Sequence, residues 1–317
     1  MYFSRIRIRT EIYKSTQLSK VLAESSYSVH RLLWDLFTNE KQRDFLYREE
    51  IAREQLGMKA GIHGEAIYYA VSEAKPNTEN PFFQVDMKEY DPKLRKGDCL
   101  SFKLRANPVV TGKVDRENPE KYLEERGRRN VVDKNKLTKK RIRHDVVMNA
   151  QKEFLISLCE DLKLQTYLPI NPNKSEYKDV LKKLGGDSLD KKLTDYFEED
   201  LKYSEALHES MSIQNKLEWA IKLKVDNALE KWMQRKAKGN GYSILKEKNE
   251  QLKLQNSRYQ WHSIKPKKNM KSGFSSIDFQ GDLQVTDVDK FRVALFKGIG
   301  PAKAFGCGLM LVRRMKI

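Results

Sequence analysis

The stretch Lys297-Gly298-Ile299-Gly300-Pro301-Ala302-Lys303-Ala304-Phe305-Gly306-Cys307-Gly308-Leu309 constrains this chain most, because it packs four of the sixteen glycines into eleven positions. Residues without a β-carbon accept φ > 0, let a backbone come close to a neighbour, and can turn N–H groups outward to meet an anion such as phosphate. The flanks define the loop further. Upstream, Ile277, Phe279, Leu283 and Val285 alternate as one apolar strand face with Gly281 at its bend. Thr286 with Asp289 resembles a capping box that opens a short helix with Val288, Phe291 and Leu295 on one side. Downstream, residues 309–312 read as a buried strand closed by Arg313 and Arg314. The loop therefore joins a helix to a strand, the reverse of the order in nucleotide-binding loops. Neither G-x-G-x-x-G nor G-x-x-x-x-G-K-[ST] occurs, so a nucleotide cofactor is disfavoured.

Composition narrows the choice of partner. With 317 residues the chain has room for two domains, each with a sizeable core. Sixty-one Lys and Arg against forty-four Asp and Glu leave a net charge of +17, which favours a polyanion, nucleic acid first. An acidic membrane surface is the main competitor, but no run of about 18 apolar residues occurs and no signal-peptide core precedes the charged segments. The protein is expected to be soluble and cytoplasmic, with no membrane partner. Cys99, Cys159 and Cys307 are odd in number and far apart, which argues against a disulfide framework and a zinc knuckle. His30, His63, His144, His208 and His262 form no paired metal spacing, so no metal is indicated.

Taken in order, residues 2–9 alternate as a strand, Tyr2, Ile6 and Ile8 on one face and Arg5, Arg7 and Arg9 on the other. A helical pattern covers about 17–37, in which Tyr27, His30, Arg31 and Trp34 share a face beside the stripe of Val29, Leu32, Leu33 and Leu36. Strands follow at 45–48, 66–71 and 100–105, with a loop or helix over 84–95. This order fits a ferredoxin-like domain over residues 1–110. Residues 111–145 hold twelve Lys or Arg against seven Asp or Glu and end in Lys139-Lys140-Arg141-Ile142-Arg143. On charge alone this is equally a solvated basic linker or a segment that follows phosphates.

Beyond it, a second domain is expected over 146–317, opening with a helix at 146–164 and carrying a helical insertion over about 175–255. Residues 251–277 then hold six basic side chains and no acidic one, interleaved with Tyr259, Trp261, His262 and Phe274. That mixture suits a nucleic-acid surface. The closing strand, helix, glycine loop 298–308 and strand complete a second ferredoxin-like half. The fold class is α+β, tandem ferredoxin-like domains with a helical insertion in the second half.

These features resemble the RAMP proteins of CRISPR systems, most closely the CasE family of repeat-processing endoribonucleases of the type I-E Cascade complex. The residues carrying the resemblance are Tyr27-Ser28-Val29-His30-Arg31, Phe45-Leu46-Tyr47-Arg48, Phe102-Lys103-Leu104-Arg105-Ala106-Asn107-Pro108, Phe274-Ser275-Ser276-Ile277-Asp278-Phe279-Gln280-Gly281 and the glycine-rich stretch itself. The family's Gly-Lys-Arg after the Ala-Asn-Pro strand is either displaced to Lys139-Lys140-Arg141 or altered to Gly112-Lys113-Val114.

The resemblance implies an endoribonuclease that needs no metal or cofactor. It would cut the CRISPR repeat hairpin of precursor crRNA at the 3′ base of the stem and keep the mature crRNA alongside other Cascade subunits. It also implies His30 as general acid or base and Tyr27 as its partner. Arg31, Lys139, Lys140, Arg141, Lys265, Lys267, Lys268, Lys271, Gly298, Gly300, Lys303, Gly306 and Gly308 would contact RNA. On periodicity alone His30 reads as a helix histidine with a structural partner. A non-catalytic RNA-binding scaffold of the same architecture is the alternative, and a DNA-binding accessory protein a third that rests on charge alone.

Overall fold

Alternation builds the first sheet. In β1 (Tyr2–Ile8) Ile6 and Ile8 are buried, while Arg5 and Arg7 reach Asp86 across the sheet at 2.8 and 3.2 Å. With β2 (Phe45–Ile51), β3 (Ala66–Ser72) and β4 (Phe83–Glu89) it forms an antiparallel sheet of order β2-β3-β1-β4, that of a ferredoxin-like domain. Residues 32–34 form a helical turn that packs on this sheet, the rest of the helix expected over about 17–37 lying outside the described residues up to residue 31. Leu33 and Leu36 are fully buried, and Phe37 stacks on Phe45 with ring centroids 4.3 Å apart.

The fourth strand lies where a loop or helix is expected, because Phe83, Val85 and Met87 alternate with Gln84, Asp86 and Lys88. The protein is described here from a computed structural model covering residues 1–9, 32–37, 44–51, 66–119, 138–200, 203–204, 211–264 and 272–315. These residues divide into one unit of Met1–Asn107 with Trp232–Ile317 and a second of Pro108–Lys231.

With its fourth position filled by β4, the first sheet has no place for β5 (Cys99–Ala106), which is expected to complete it; β5 pairs in the second sheet instead. The chain then enters the second unit. A linker is one expectation for residues 111–145; β6 (Val109–Asp115) and β7 (Lys139–Asp145) instead pair antiparallel, Lys113 opposite Arg141. The β7 end feeds α1 (Val146–Asp161), whose first turn is capped by Asp145 accepting from the Met148 N–H at 2.8 Å. The helix belongs to this unit, not to the second ferredoxin-like half.

A capping box of Asn173 and Glu176 opens α2 (Lys174–Leu184), followed by α3 (Gly186–Glu198) and α4 (Ile213–Gly239). Leu155, Leu158, Leu181, Leu189, Leu193 and Leu217 are fully buried in their shared core. The Lys216 ammonium, itself buried, reaches both Asp190 carboxylate oxygens at 2.8 and 2.9 Å. No helix among the described residues is long and apolar enough to cross a membrane.

Helix ends at Gly239, earlier than residue 255, and the chain returns to the first unit. There β8 (Tyr242–Ile244), β9 (Leu254–Ile264), β10 (Ser272–Val285) and β11 (Met310–Arg314) join β5 in the order β11-β5-β10-β8, with β9 also on β10. Leu100, Phe102 and Leu104 of β5 and Ile277, Phe279, Leu283 and Val285 of β10 are buried. Phe291, Ala294 and Leu295 of α5 (Val288–Lys297) are buried too, and Trp232 at the end of α4 stacks on Phe279 at 5.7 Å. The cap of α5 is Asp287, one residue beyond the expected Thr286.

Burial sorts the cysteines. Desolvation raises the Cys159 thiol to about 11 and the Cys307 thiol to about 12, whereas Cys99 is exposed. A thiol reagent at neutral pH should therefore modify Cys99 alone in the native protein and all three cysteines after denaturation. A second fast equivalent without denaturant would contradict this packing.

Candidate functional site

The glycine loop is held against β2. Gly298 (φ 74) ends α5, and a β-carbon there would lie 2.8 Å from Leu46 Cδ1; one on Gly306 (φ 78) would lie 3.3 Å from the Tyr47 ring. Positive φ favours glycine at both positions, and the close approach to the first sheet leaves a side chain there little room. Hydrogen bonds close the loop. The Ile299 N–H donates to the Gly308 carbonyl at 2.9 Å and the Gly308 N–H to the Arg105 backbone carbonyl at 2.8 Å. The Tyr47 hydroxyl donates to the Ala304 carbonyl at 3.2 Å. Lys303 turns its ammonium onto the Lys297 carbonyl at the end of α5, 2.5 Å away, a favourable place for a cation.

A charged cluster connects β2 to the second sheet. Arg105 of β5 grips Asp278 of β10 through two hydrogen bonds of 2.9 and 3.0 Å and donates to the Glu49 carbonyl at 3.3 Å. Arg48, 3% exposed, donates to Glu50 at 2.5 Å and lies 3.6 Å from Asp278, while Arg258 approaches Asp278 at 3.8 Å. Burial by itself would raise the Asp278 carboxyl; the hydrogen bonds and charge of Arg105, with Arg48 and Arg258, outweigh it and hold the group below its ordinary value. Glu49 shifts the other way, raised by burial more than Arg105 lowers it.

Aromatic rings link the loop to β9 and β10. Phe305 stacks on Phe274 at 4.7 Å, and Phe274 on His262 at 4.6 Å. His262 Nε2 shares a 2.7 Å hydrogen bond with Ser276 Oγ. Burial first, and then the charge of Arg105, lower the imidazole below its usual value.

Of the residues expected to act, Gly298, Gly300, Lys303, Gly306 and Gly308 share this loop. Tyr27, His30 and Arg31 lie outside the described residues, just before Leu33 and Leu36, which pack in one core with Phe45 and Tyr47. Lys265, Lys267, Lys268 and Lys271 also lie outside them, in the connection from β9 to β10.

Lys139, Lys140 and Arg141 are exposed on β7. Strand alternation and register put Lys113, Lys139, Arg141 and Arg143 on one face of the β6–β7 ribbon, and Lys140 with Val110, Val114 and Ile142 on the other. The two candidate remnants of the Gly-Lys-Arg segment prove to be opposite strands of one hairpin, Gly112 across from Ile142 and Lys113 across from Arg141. Nothing in the sequence signals the Arg48, Arg105 and Asp278 cluster, although its members stand in the family blocks, because lone charges in strands usually face solvent.

Fold and site together define an α+β protein with two ferredoxin-like halves, a helical body inserted into the second, and a glycine loop seated on the first. The chain belongs to the family described as CRISPR associated protein, whose model matches residues 1–314. Among solved structures it is similar to a CRISPR endoribonuclease Cse3 bound to a 19 nt RNA, at 16% identity and a TM-score of 0.52, over 99% of this chain and 100% of that one. It is also similar to Cse3 from Thermus thermophilus bound to an RNA representing a pre-cleavage complex, at 16% identity and 0.51, over 98% of each chain. At this identity the likeness is one of fold. A comparison with curated protein sequences gives no match.

Two outcomes follow from the charges. Asp278→Asn leaves the Arg105 and Arg48 guanidinium groups without their shared carboxylate and should lower unfolding free energy by about 3 kcal/mol in urea titration. Because His262 is lowered on folding, its stabilising contribution is complete above the unfolded value near 6.5 and is lost as pH falls through the lower folded value. His262→Phe should therefore flatten the melting temperature against pH below about 6.5. An unchanged slope would remove His262 as its source.

Proposed function

We propose that this protein is an endoribonuclease that processes CRISPR repeat RNA and remains with its product in a Cascade-type complex. The observation that carries this reading is the glycine loop's seat on β2, the strand whose Phe45 and Tyr47 share a core with Leu33 and Leu36, a few residues after Tyr27 and His30 in sequence. Membership of the CRISPR associated protein family over residues 1–314 and the +17 charge support it, as does the fold shared with Cse3 proteins solved with RNA.

The reaction is an in-line displacement. A ribose 2′-hydroxyl attacks the adjacent phosphorus, the bond to the 5′-oxygen breaks, and a 2′,3′-cyclic phosphate remains on the upstream product. One group must take the 2′ proton and one must give a proton to the departing oxygen. An imidazole such as that of His30 can in general fill either role near neutral pH, and a well-placed one contributes about 10²–10⁴ in rate. Tyr27 orients the hydroxyl or donates to a non-bridging oxygen. Arg31 and a lysine among Lys265, Lys267 and Lys268 meet the charge that builds on the phosphorane. No step calls on a metal.

Binding divides between two surfaces. The face of the β6–β7 ribbon with Lys113, Lys139, Arg141 and Arg143, where basic residues outnumber Asp115 and Asp145, suits the phosphates lining an A-form stem, whose deep narrow groove resists reading by individual side chains. Near the scissile end, Gly300 is the loosest of the loop glycines; a β-carbon there would have its nearest neighbour at 3.8 Å. A backbone open at this point can bring N–H groups to a phosphate.

The purified protein should cleave a repeat hairpin in EDTA, with His30→Ala slowed by about 10²-fold or more and a single 2′-deoxy substitution before the cut abolishing product. Tight binding without cleavage would leave a scaffold; undiminished cutting by His30→Ala would remove the imidazole from the chemistry. In affinity titrations against salt, Arg141→Ala should reduce the slope by about one.

A further inference from the structure

The β9–β10 ribbon carries a feature that the cleavage site does not use. β10 pairs with β5 from Ile277 to Gln284 but with β9 from Ser272 to Gly281, so residues 260–264 and 272–276 continue as two strands beyond the end of β5. Alternation gives the extension two faces. His262, Phe274 and Ser276 take the face that meets Phe305 of the glycine loop, and Trp261, Ser263, Gly273 and Ser275 take the other.

On that second face Trp261 is 58% exposed yet seated. A β-carbon on Gly273 would fall 2.5 Å from its Cζ2 and 2.7 Å from its Cε2, so the indole occupies the space a side chain at 273 would need. Ser275, directly opposite Trp261 in the register, is 1% exposed. One side of the ring is thus fixed against the ribbon and water reaches the rest. Two positions away lies Tyr259, 37% exposed, beside a bulge where Arg258 adopts φ 56 and the register shifts between Ser276 and Asp278. Such bulges twist a strand and re-aim its side chains.

Charge identifies the occupant. In sequence, residues 251–277 contain Lys253, Arg258, Lys265, Lys267, Lys268 and Lys271 and no acidic residue, and the β10 carboxylates are met by cations, Asp278 by Arg105 and Arg258 and Asp282 by Lys253 at 3.9 Å. A flat apolar ring carried by a segment this rich in cations and free of carboxylates matches a nucleotide, whose base stacks while its phosphate meets positive charge. Bases inside a stem already stack on one another, so the partner is unpaired.

We infer that Trp261, seated on Gly273, is a stacking platform for an unpaired nucleotide that adjoins the base of the repeat hairpin. This rests on the RNA-processing reading above, and gives the β9–β10 ribbon the task of holding the single-stranded flank while the cationic ribbon holds the stem. Trp261 is a positioning residue: it touches the flank, not the reacting atoms.

The test measures binding with cleavage blocked by a 2′-deoxy ribose at the cut. The full-length protein is titrated with the hairpin alone, with a 5′ flank, with a 3′ flank, and with each flank made abasic. The wild type should favour one flanked RNA over its abasic form by about ten-fold, and the arm that shows this names the flank. Trp261→Phe should keep most of the preference. Trp261→Leu, which still covers Gly273 but has no π face, should lose it with an unchanged melting temperature and an unchanged salt slope.

A preference kept in Trp261→Leu, or no base dependence in the wild type, overturns the platform while leaving hairpin binding intact. Failure to bind any of these RNAs overturns the RNA-processing reading itself, and the platform with it. A protein partner on this face would appear as the first outcome, binding indifferent to the base.

Discussion

One carboxylate, Asp278, holds the two ferredoxin-like halves in register. It takes both hydrogen bonds of the Arg105 fork and shares its charge with Arg48 and Arg258, so strands from both sheets converge on it. Arg48 is almost wholly buried and one of its terminal nitrogens, Nη1, has no hydrogen-bond partner among the described residues. A guanidinium in that position stays charged and must be compensated locally. The geometry of β2 against β10, and with it the seat of the glycine loop on Leu46 and Tyr47, depends on this compensation.

The loop serves packing before it serves any ligand. Gly298 and Gly306 adopt positive φ with Leu46 and the Tyr47 ring close beside them, and Lys303 is drawn back to the helix end. This rigidity suits a phosphate site, since N–H groups fixed in advance need no reorganisation when charge develops nearby. The aromatic run from Phe305 through Phe274 to His262 extends the same rigidity into the β9–β10 ribbon.

Much of this was legible in the residues themselves. The alternation of Leu100, Phe102 and Leu104 and the helix–loop–strand order at the end of the chain gave the elements, their order gave two ferredoxin-like halves, and the resemblance gave the family. Alternation names a face but not a partner, which is why β5 could be placed in the wrong sheet: its apolar side fits either core. The fourth strand of the first sheet was obscured by Asp86, Lys88 and Glu89, and the β6–β7 ribbon by having no buried face, so that Lys139-Lys140-Arg141 read equally as a solvated linker and as a segment that follows phosphates, and not as a strand. The pairing of Asp278 with Arg105 is not legible in the sequence, because nothing local announces that two strands distant in sequence will meet. The Tyr27 and His30 pair rested on resemblance, and both lie outside the described residues.

The insertion of the helical body between β5 and β8 has a consequence for biosynthesis. A nascent chain can finish its first sheet once β4 has left the ribosome, but β5 emerges with an apolar side and finds its neighbours β10 and β11 only when residues 272–314 follow. Closing so long a separation costs little extra at equilibrium, because the entropy grows only with the logarithm of length. In time it is a long wait, during which the exposed strand is open to mispairing. Residues 146–231 fill that interval with helices whose contacts lie close along the chain, so the intervening body can mature while the strand behind it is still unpartnered.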